Sequence, residues 1–271
     1  MNLAVALLVG LAAGLHAATW GMFKDAPYEG FTWHTYLRSP VVAAMIAVAV
    51  AAAGDFPSTS AAEIAVLFGL TYVIERGINE FYKTFLREED QSKYSIPMQL
   101  SVRGKVVTAR RTRLLAGLGY AVGVLAVVLV IDAIGNQGAG GLAVVLIVGS
   151  LGGWISAFGG AWKDAPVEGF QPFKFVRSPL VALGYALLLA ALTTDPVYAA
   201  FGALGYTVAT LETYKTFFKP NTPRGKFAGK EIQYPEWLER RYRFVPLYVA
   251  IWTGIVVVFA VALAKPHSGL I

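Results

Sequence analysis

The chain contains no cysteine among its 271 residues. That excludes disulfides, thiolate nucleophiles and cysteine-based metal sites. Charge is scarce too: 15% of residues are Asp, Glu, Lys or Arg, where a soluble domain carries about 25%. The three histidines, His16, His34 and His267, are scattered, with no pair at ligand spacing. No nucleophile–base set, metal cluster or phosphate-cradling glycine loop stands out, so no catalytic constellation is assigned. The first eighteen residues are apolar but lack the basic start of a secretory signal. They are read instead as a first membrane helix.

What the chain has is apolar length. Hydrophobic residues make up 56% of it, in eight segments at about 3–23, 40–53, 61–85, 114–134, 141–162, 179–192, 197–218 and 245–264. A helix rises ~1.5 Å per residue and the hydrocarbon core is ~30 Å thick, so about 20 residues span it. This predicts an all-α polytopic membrane protein of about eight transmembrane helices. The second and sixth segments are short, and both begin Arg-Ser-Pro. Serine caps helix N-termini and proline suits the first turn, so Ser39 and Ser178 are expected to start these helices.

The chain repeats itself. Lys24-Asp25-Ala26-Pro27-Tyr28-Glu29-Gly30-Phe31, closed by Arg38-Ser39-Pro40, recurs as Lys163-Asp164-Ala165-Pro166-Val167-Glu168-Gly169-Phe170, closed by Arg177-Ser178-Pro179. The offset is constant and no gap is needed. Gly10 and Gly14 recur at the same offset as Gly149 and Gly153, and Glu80 with Lys83 recurs as Glu212 with Lys215. The chain therefore divides into one repeat over 1–135 and a second over 140–271, together one membrane domain. Four helices per repeat is an even number, so both repeats enter from the same side. The pseudo-twofold axis is expected along the membrane normal.

Of the 23 lysines and arginines, all but Lys265 fall at one end of the proposed helices. Basic loops stay in the cytoplasm, which places both termini outside and both motif loops inside. The basic loops suit anionic membrane lipids; nucleic acid is not the expected partner, and a homo-oligomer or larger membrane complex is compatible with the pattern.

Within each motif, Pro27 and Pro166 interrupt the Asp-x-x-x-Glu spacing and glycine follows, which reads as a turn. In that turn Asp25 and Asp164 are expected to cap the chain or bridge to Arg38 and Arg177. Glu80 with Lys83, and Glu212 with Lys215, lie one turn apart on a helix face. Together Lys24, Asp25, Glu29, Arg38, Glu80 and Lys83, with Lys163, Asp164, Glu168, Arg177, Glu212 and Lys215, make an inventory for a phosphorylated or zwitterionic headgroup. Mg²⁺ enters only if the ligand is a diphosphate. Binding or transport of an amphipathic, anionic, lipid-like substrate is the first functional reading. A membrane enzyme acting on a lipid headgroup and a non-catalytic scaffold are the alternatives. Aromatics beside each motif, including Trp33, Tyr36, Phe173 and Phe175, suit the headgroup level. Glycines four apart suit close helix packing, and Gly10, Gly14, Gly149 and Gly153 are expected to bring the first and fifth helices together.

Overall fold

The computed structural model describes all residues except 55, 137–140, 219, 221–224 and 267. Helix dominates. In chain order come α1 (Leu3–Glu29), α2 (Trp33–Ala53), α3 (Ala61–Phe81), α4 (Arg110–Asn136), α5 (Gly141–Glu168), α6 (Pro172–Ala190) and α7 (Pro196–Phe217). A four-residue α8 (Trp237–Arg240) and a one-turn 3-10 segment then lead into α9 (Val245–Ala264). Six helices, α1, α2, α4, α5, α6 and the segment from Trp237 to Ala264, are long and apolar enough to cross a membrane. α3 and α7 match them in length but are more polar, with Glu75, Arg76 and Glu80 on one and Glu212 and Lys215 on the other. The described strands are β1 (Ser101–Val102) and β2 (Lys105–Val106), an antiparallel hairpin. Its two-residue turn puts Arg103 (φ 52°) and Gly104 (φ 78°) in the left-handed region that such turns require.

Local chemistry starts these helices. Asn2, Thr32, Ser60 and Asp195 each accept a backbone N–H with a side-chain oxygen, satisfying donors that a first turn leaves unpaired. Thr32 at the head of α2 displaces the expected start. α2 and α6 begin seven residues ahead of the prolines, at Trp33 and Pro172, and Pro40 and Pro179 lie inside them. Ser39 and Ser178 are therefore interior residues, not caps, and neither helix is short. The reason is packing rather than propensity. Gly14 sits so tightly on Ser39 and Pro40 that an added Cβ would lie 2.5 Å from the Ser39 carbonyl oxygen. Gly153 meets Ser178 and Pro179 the same way, with 2.7 Å to the Ser178 oxygen. A flat backbone fills the groove beside each proline.

These contacts also correct the expected pairing of α1 with α5. Gly10 and Gly14 face α2, at Ala43, Ala44 and Pro40; Gly149 and Gly153 face α6, at Ala186 and Pro179. Each glycine pair closes a hairpin within its own half of the chain. The close approach between halves belongs to α3 and α7. There an added Cβ on Gly69 would lie 2.6 Å from the Gly202 oxygen, and Tyr206 donates to the Ala65 carbonyl at 2.8 Å. The main core runs through this crossing, with Leu67, Phe68, Tyr72, Ala203 and Tyr206 all buried.

Candidate functional site

A cavity of about 1480 Å³ opens where α1, α3, α5 and α7 end and α2 and α6 begin. All twelve charged residues singled out in the sequence line it. Three facts of local structure put them there.

The first is that α1 and α5 run through their prolines. Asp25 and Glu29 lie on the last turns of α1, Asp164 and Glu168 on the last turns of α5. The expected turn is confined to Gly30 (φ 77°) and Gly169 (φ 78°), where glycine's freedom is needed. Proline lacks an N–H and cannot bond the carbonyl four residues back. In α1 that carbonyl belongs to Phe23, and the Arg241 guanidinium donates to it at 2.9 Å. With the helix intact, the two carboxylates of each motif share a face.

The second is what each carboxylate pair holds. Lys226 Nζ lies 2.9 Å from Asp25 and 3.3 Å from Glu29. Lys174 Nζ lies 2.9 Å from Asp164 and 2.8 Å from Glu168. Each motif thus clasps one lysine ammonium between two carboxylates. Arg38 and Arg177, the expected partners of the aspartates, are not in these clasps. In the second half the lysine stands at the head of α6; the corresponding residue of α2 is Thr35, and Lys226 arrives from the far end of the chain instead.

The third is the pair of polar helix ends. Lys83 reaches Glu80 at 3.1 Å and Lys215 reaches Glu212 at 2.9 Å, each within its own turn. The two ends differ in winding: Tyr82–Leu86 forms a π-helical turn, while α7 stays α-helical to Phe217. Lys24 approaches Glu212 at 3.8 Å, joining α1 to α7. Arg76 lies 3.5 Å from Glu75 and 3.7 Å from Glu80, with its guanidinium over Trp20.

Five described lining cations lack a carboxylate within 4.0 Å; Lys230 and Arg241 bond backbone carbonyls instead, and three stand apart. Among the described residues, Arg38, Lys163 and Arg177 have no carboxylate within 4.0 Å. Arg38 is exposed. Lys163 contacts the Met98 thioether at 3.5 Å. Arg177 lies over the Tyr214 ring, and its Nε is buried without a hydrogen-bond partner.

Two loops roof the cavity, and each covers the other half's motif. The loop after α3 lies on the end of α5: the Ser101 carbonyl accepts from the Trp162 indole at 3.0 Å, and Gly104 packs near Pro166. The loop after α7 lies on the end of α1. There Gln233 and Tyr234 donate backbone N–H groups to the Pro27 carbonyl, Phe227 stacks on Tyr28, and Tyr234 packs against Gly30. The loops also meet each other, with Ser95 N–H donating to the Lys226 carbonyl at 2.7 Å and Lys230 donating to the Ser92 carbonyl at 2.8 Å. Tyr94 donates to Glu29 at 3.0 Å. Burial and the Glu29 charge both push its phenol pKa well up. Burial opposes ionisation of Glu89, yet the Lys93 hydrogen bond and the Arg87 charge outweigh it and hold the carboxyl below its ordinary value.

Sequence reading passed over Arg76, Tyr94, Lys174 and Lys226 as site residues. The lysines were visible only as basic loop residues; nothing local marks them as clasp partners. The aromatic fringes form two clusters, Phe31–Trp33–Tyr36–Phe244 beside α2 and Trp154–Phe158–Phe175 beside α6. His16, the ionisable residue in mid-helix, is buried away from the cavity. It sits 3.0 Å from the Tyr72 hydroxyl and is stacked on Tyr248. Tyr72 in turn accepts from the Trp20 indole at 2.8 Å. Among the described residues no three His, Asp or Glu side chains converge as a metal site, and the carboxylate pairs are engaged with lysine. Set against family models, curated proteins and solved structures, the chain matches none.

Proposed function

We propose that this protein is an integral membrane carrier or receptor for an amphipathic, anionic substrate, taken up in the roofed cavity between its two halves. The observation that carries the reading is the charge of the lining. Among the described lining residues eleven lysines and arginines face seven carboxylates, and three of those cations, Arg38, Lys163 and Arg177, have neither a carboxylate within 4.0 Å nor a backbone carbonyl as described partner. Cation partly withdrawn from water, as at Lys163 and Arg177, is costly unless an anion or water compensates it. A smaller cavity of about 150 Å³ shares Asp164, Lys174, Arg177 and Lys215 with this site and continues among Ala157, Gly160, Val208 and Leu211. A polar mouth over an apolar recess suits a headgroup with a tail.

In this reading the twelve motif residues divide by role. Asp25, Glu29, Asp164 and Glu168 are a clasp that fixes the roof and the start of α6. Glu80 and Glu212 hold Lys83 and Lys215, with Lys24 drawn to Glu212. Arg38, Lys163 and Arg177 meet the substrate. Mg²⁺ has no part in it, since the paired carboxylates are already occupied by ammonium groups.

The eight-span, two-repeat architecture belongs to the same proposal. Its support is the matched seating of Gly14 on Ser39–Pro40 and of Gly153 on Ser178–Pro179, with α3 crossing α7 between them. The one-sided distribution of basic residues supports a topology with both termini outside and the motif loops in the cytoplasm. The absence of native cysteine makes that easy to test: cysteine at Ser58 labels from outside, and cysteine at Ser92 does not. The opposite pattern would invert the topology. For the site, Arg38→Lys in the purified protein keeps the fold and weakens binding of an anionic lipid, because lysine loses the bidentate fork. Unchanged binding in both Arg38→Lys and Arg177→Lys would refute the reading.

A further inference from the structure

We infer that the substrate phosphate is multiply charged: a phosphomonoester or diphosphate, rather than the singly charged phosphodiester of common anionic lipids. The inference rests on the anion-binding reading above and narrows its chemistry.

The argument is a charge balance over the cavity. Six of the eleven described lining cations have a described carboxylate within reach. Lys174 and Lys226 are each clasped by two, Lys83 and Lys215 by one at 3.1 and 2.9 Å, Arg76 has two near it, and Lys24 has Glu212 at 3.8 Å. Lys230 donates to a backbone carbonyl, as does Arg241. Arg38, Lys163 and Arg177 remain. Their described partners are poor: a thioether and the more distant charge of Glu80 for Lys163, and an aromatic face for Arg177, whose Nε is buried and unpartnered. Thioether sulfur is a weak acceptor.

Two guanidinium forks and an ammonium are more positive charge than one phosphodiester neutralises. A phosphomonoester carries about −1.5 to −2 at pH 7 with three strong acceptor oxygens, and a diphosphate carries more. Arginine forks match such oxygens in bidentate fashion. A divalent metal normally accompanies diphosphate sites built on carboxylates. Here the cavity supplies the counter-charge from its own side chains.

The test uses the whole chain in bilayer discs of neutral zwitterionic lipid. Binding is measured for a diacylglycerol phosphomonoester and for a diacyl phosphodiester with an uncharged headgroup, with inorganic pyrophosphate as a soluble competitor. The monoester should bind at least about tenfold more tightly, the equivalent of one added charge contact. Its affinity should fall as pH drops through the second phosphate pKa near 6, while the diester stays flat. Lys163→Gln and Arg177→Gln should each erode that preference, and Arg38→Gln, at an exposed position in the second turn of α2, does so without a folding penalty. Competition by pyrophosphate, with the preference intact, extends the site to free phosphates; no competition restricts it to lipid-borne ones. Equal binding of both lipids with no pH response would overturn the inference while leaving the anion reading in place. Binding of both lipids unaffected by all three substitutions would overturn that reading itself.

Discussion

The two carboxylate clasps have the same chemistry but different wiring. Asp164 and Glu168 hold a lysine ten and six residues away, on the first turn of the next helix. Asp25 and Glu29 hold Lys226, about two hundred residues on. The second clasp is a local brace. The first ties the roof to the opposite half of the molecule. A single position accounts for the difference: Lys174 in one half stands where Thr35 stands in the other. An ammonium between two carboxylates is the common requirement, and the chain meets it from wherever a lysine is available.

The largest expected effect tests what the halves share. Gly14→Leu and Gly153→Leu drive a side chain into the Ser-Pro backbone of the neighbouring helix. Overpacking of this kind costs about 1–3 kcal/mol or more, and both variants should lose monodisperse protein on gel filtration. Gly159→Ala, where an added Cβ meets nothing within 4 Å, should be silent. A tolerated Gly14→Leu would break the equivalence of the two hairpins.

Next comes the wiring. Lys226→Met removes a partner from two carboxylates and should cost about 1–3 kcal/mol, read as a lower melting temperature and faster proteolysis within 225–236. Lys174→Met should lower the melting temperature too but leave that loop as resistant as before. Adding Thr35→Lys to Lys226→Met recreates the local brace of the second half, and should recover part of the melting temperature without recovering protease resistance. If it recovers both, Lys226 does not secure the roof.

The smallest effect is in pH. Glu89 has a depressed carboxyl pKa in the folded protein. Its contribution to stability is complete above the unfolded value near 4.3 and is lost as pH falls through the lower folded value. Acidification below about pH 4 should lower the amide protection factors of the 87–100 loop, taken against intrinsic exchange at the same pH, before those of the helices. Glu89→Gln should exchange faster at neutral pH and show less change on acidification. Identical behaviour of wild type and Glu89→Gln would remove Glu89 from the account.

The lining of the candidate site was largely legible in the sequence. Duplication of the motif and of the Glu–Lys turns named twelve residues that line one cavity. The same reading missed how they are held. It took Pro27 for a turn because the residue that compensates the freed Phe23 carbonyl, Arg241, lies 218 positions away. It paired the aspartates with Arg38 and Arg177 because those are near in sequence, while Lys226 is not. It recognised Gly14 as a packing glycine but not its neighbour. Small-residue spacing tells where a helix can be approached, not by which helix. The helix crossing that joins the halves, Gly69 with Gly202 and Gly205, carries no repeat signal at all.

The exchanged roof sets an order of completion during synthesis. The second motif has its covering loop already made and its lysine only six residues behind Glu168. It can close almost as soon as it leaves the ribosome. The first must wait 197 residues for Lys226, roughly 10–40 s at ordinary elongation rates of about 5–20 residues per second. Through that interval Asp25 lacks its clasping ammonium, and Glu29 has only the Tyr94 hydroxyl and, at 3.9 Å, Lys93. The half of the molecule that is made first is therefore the half that is finished last.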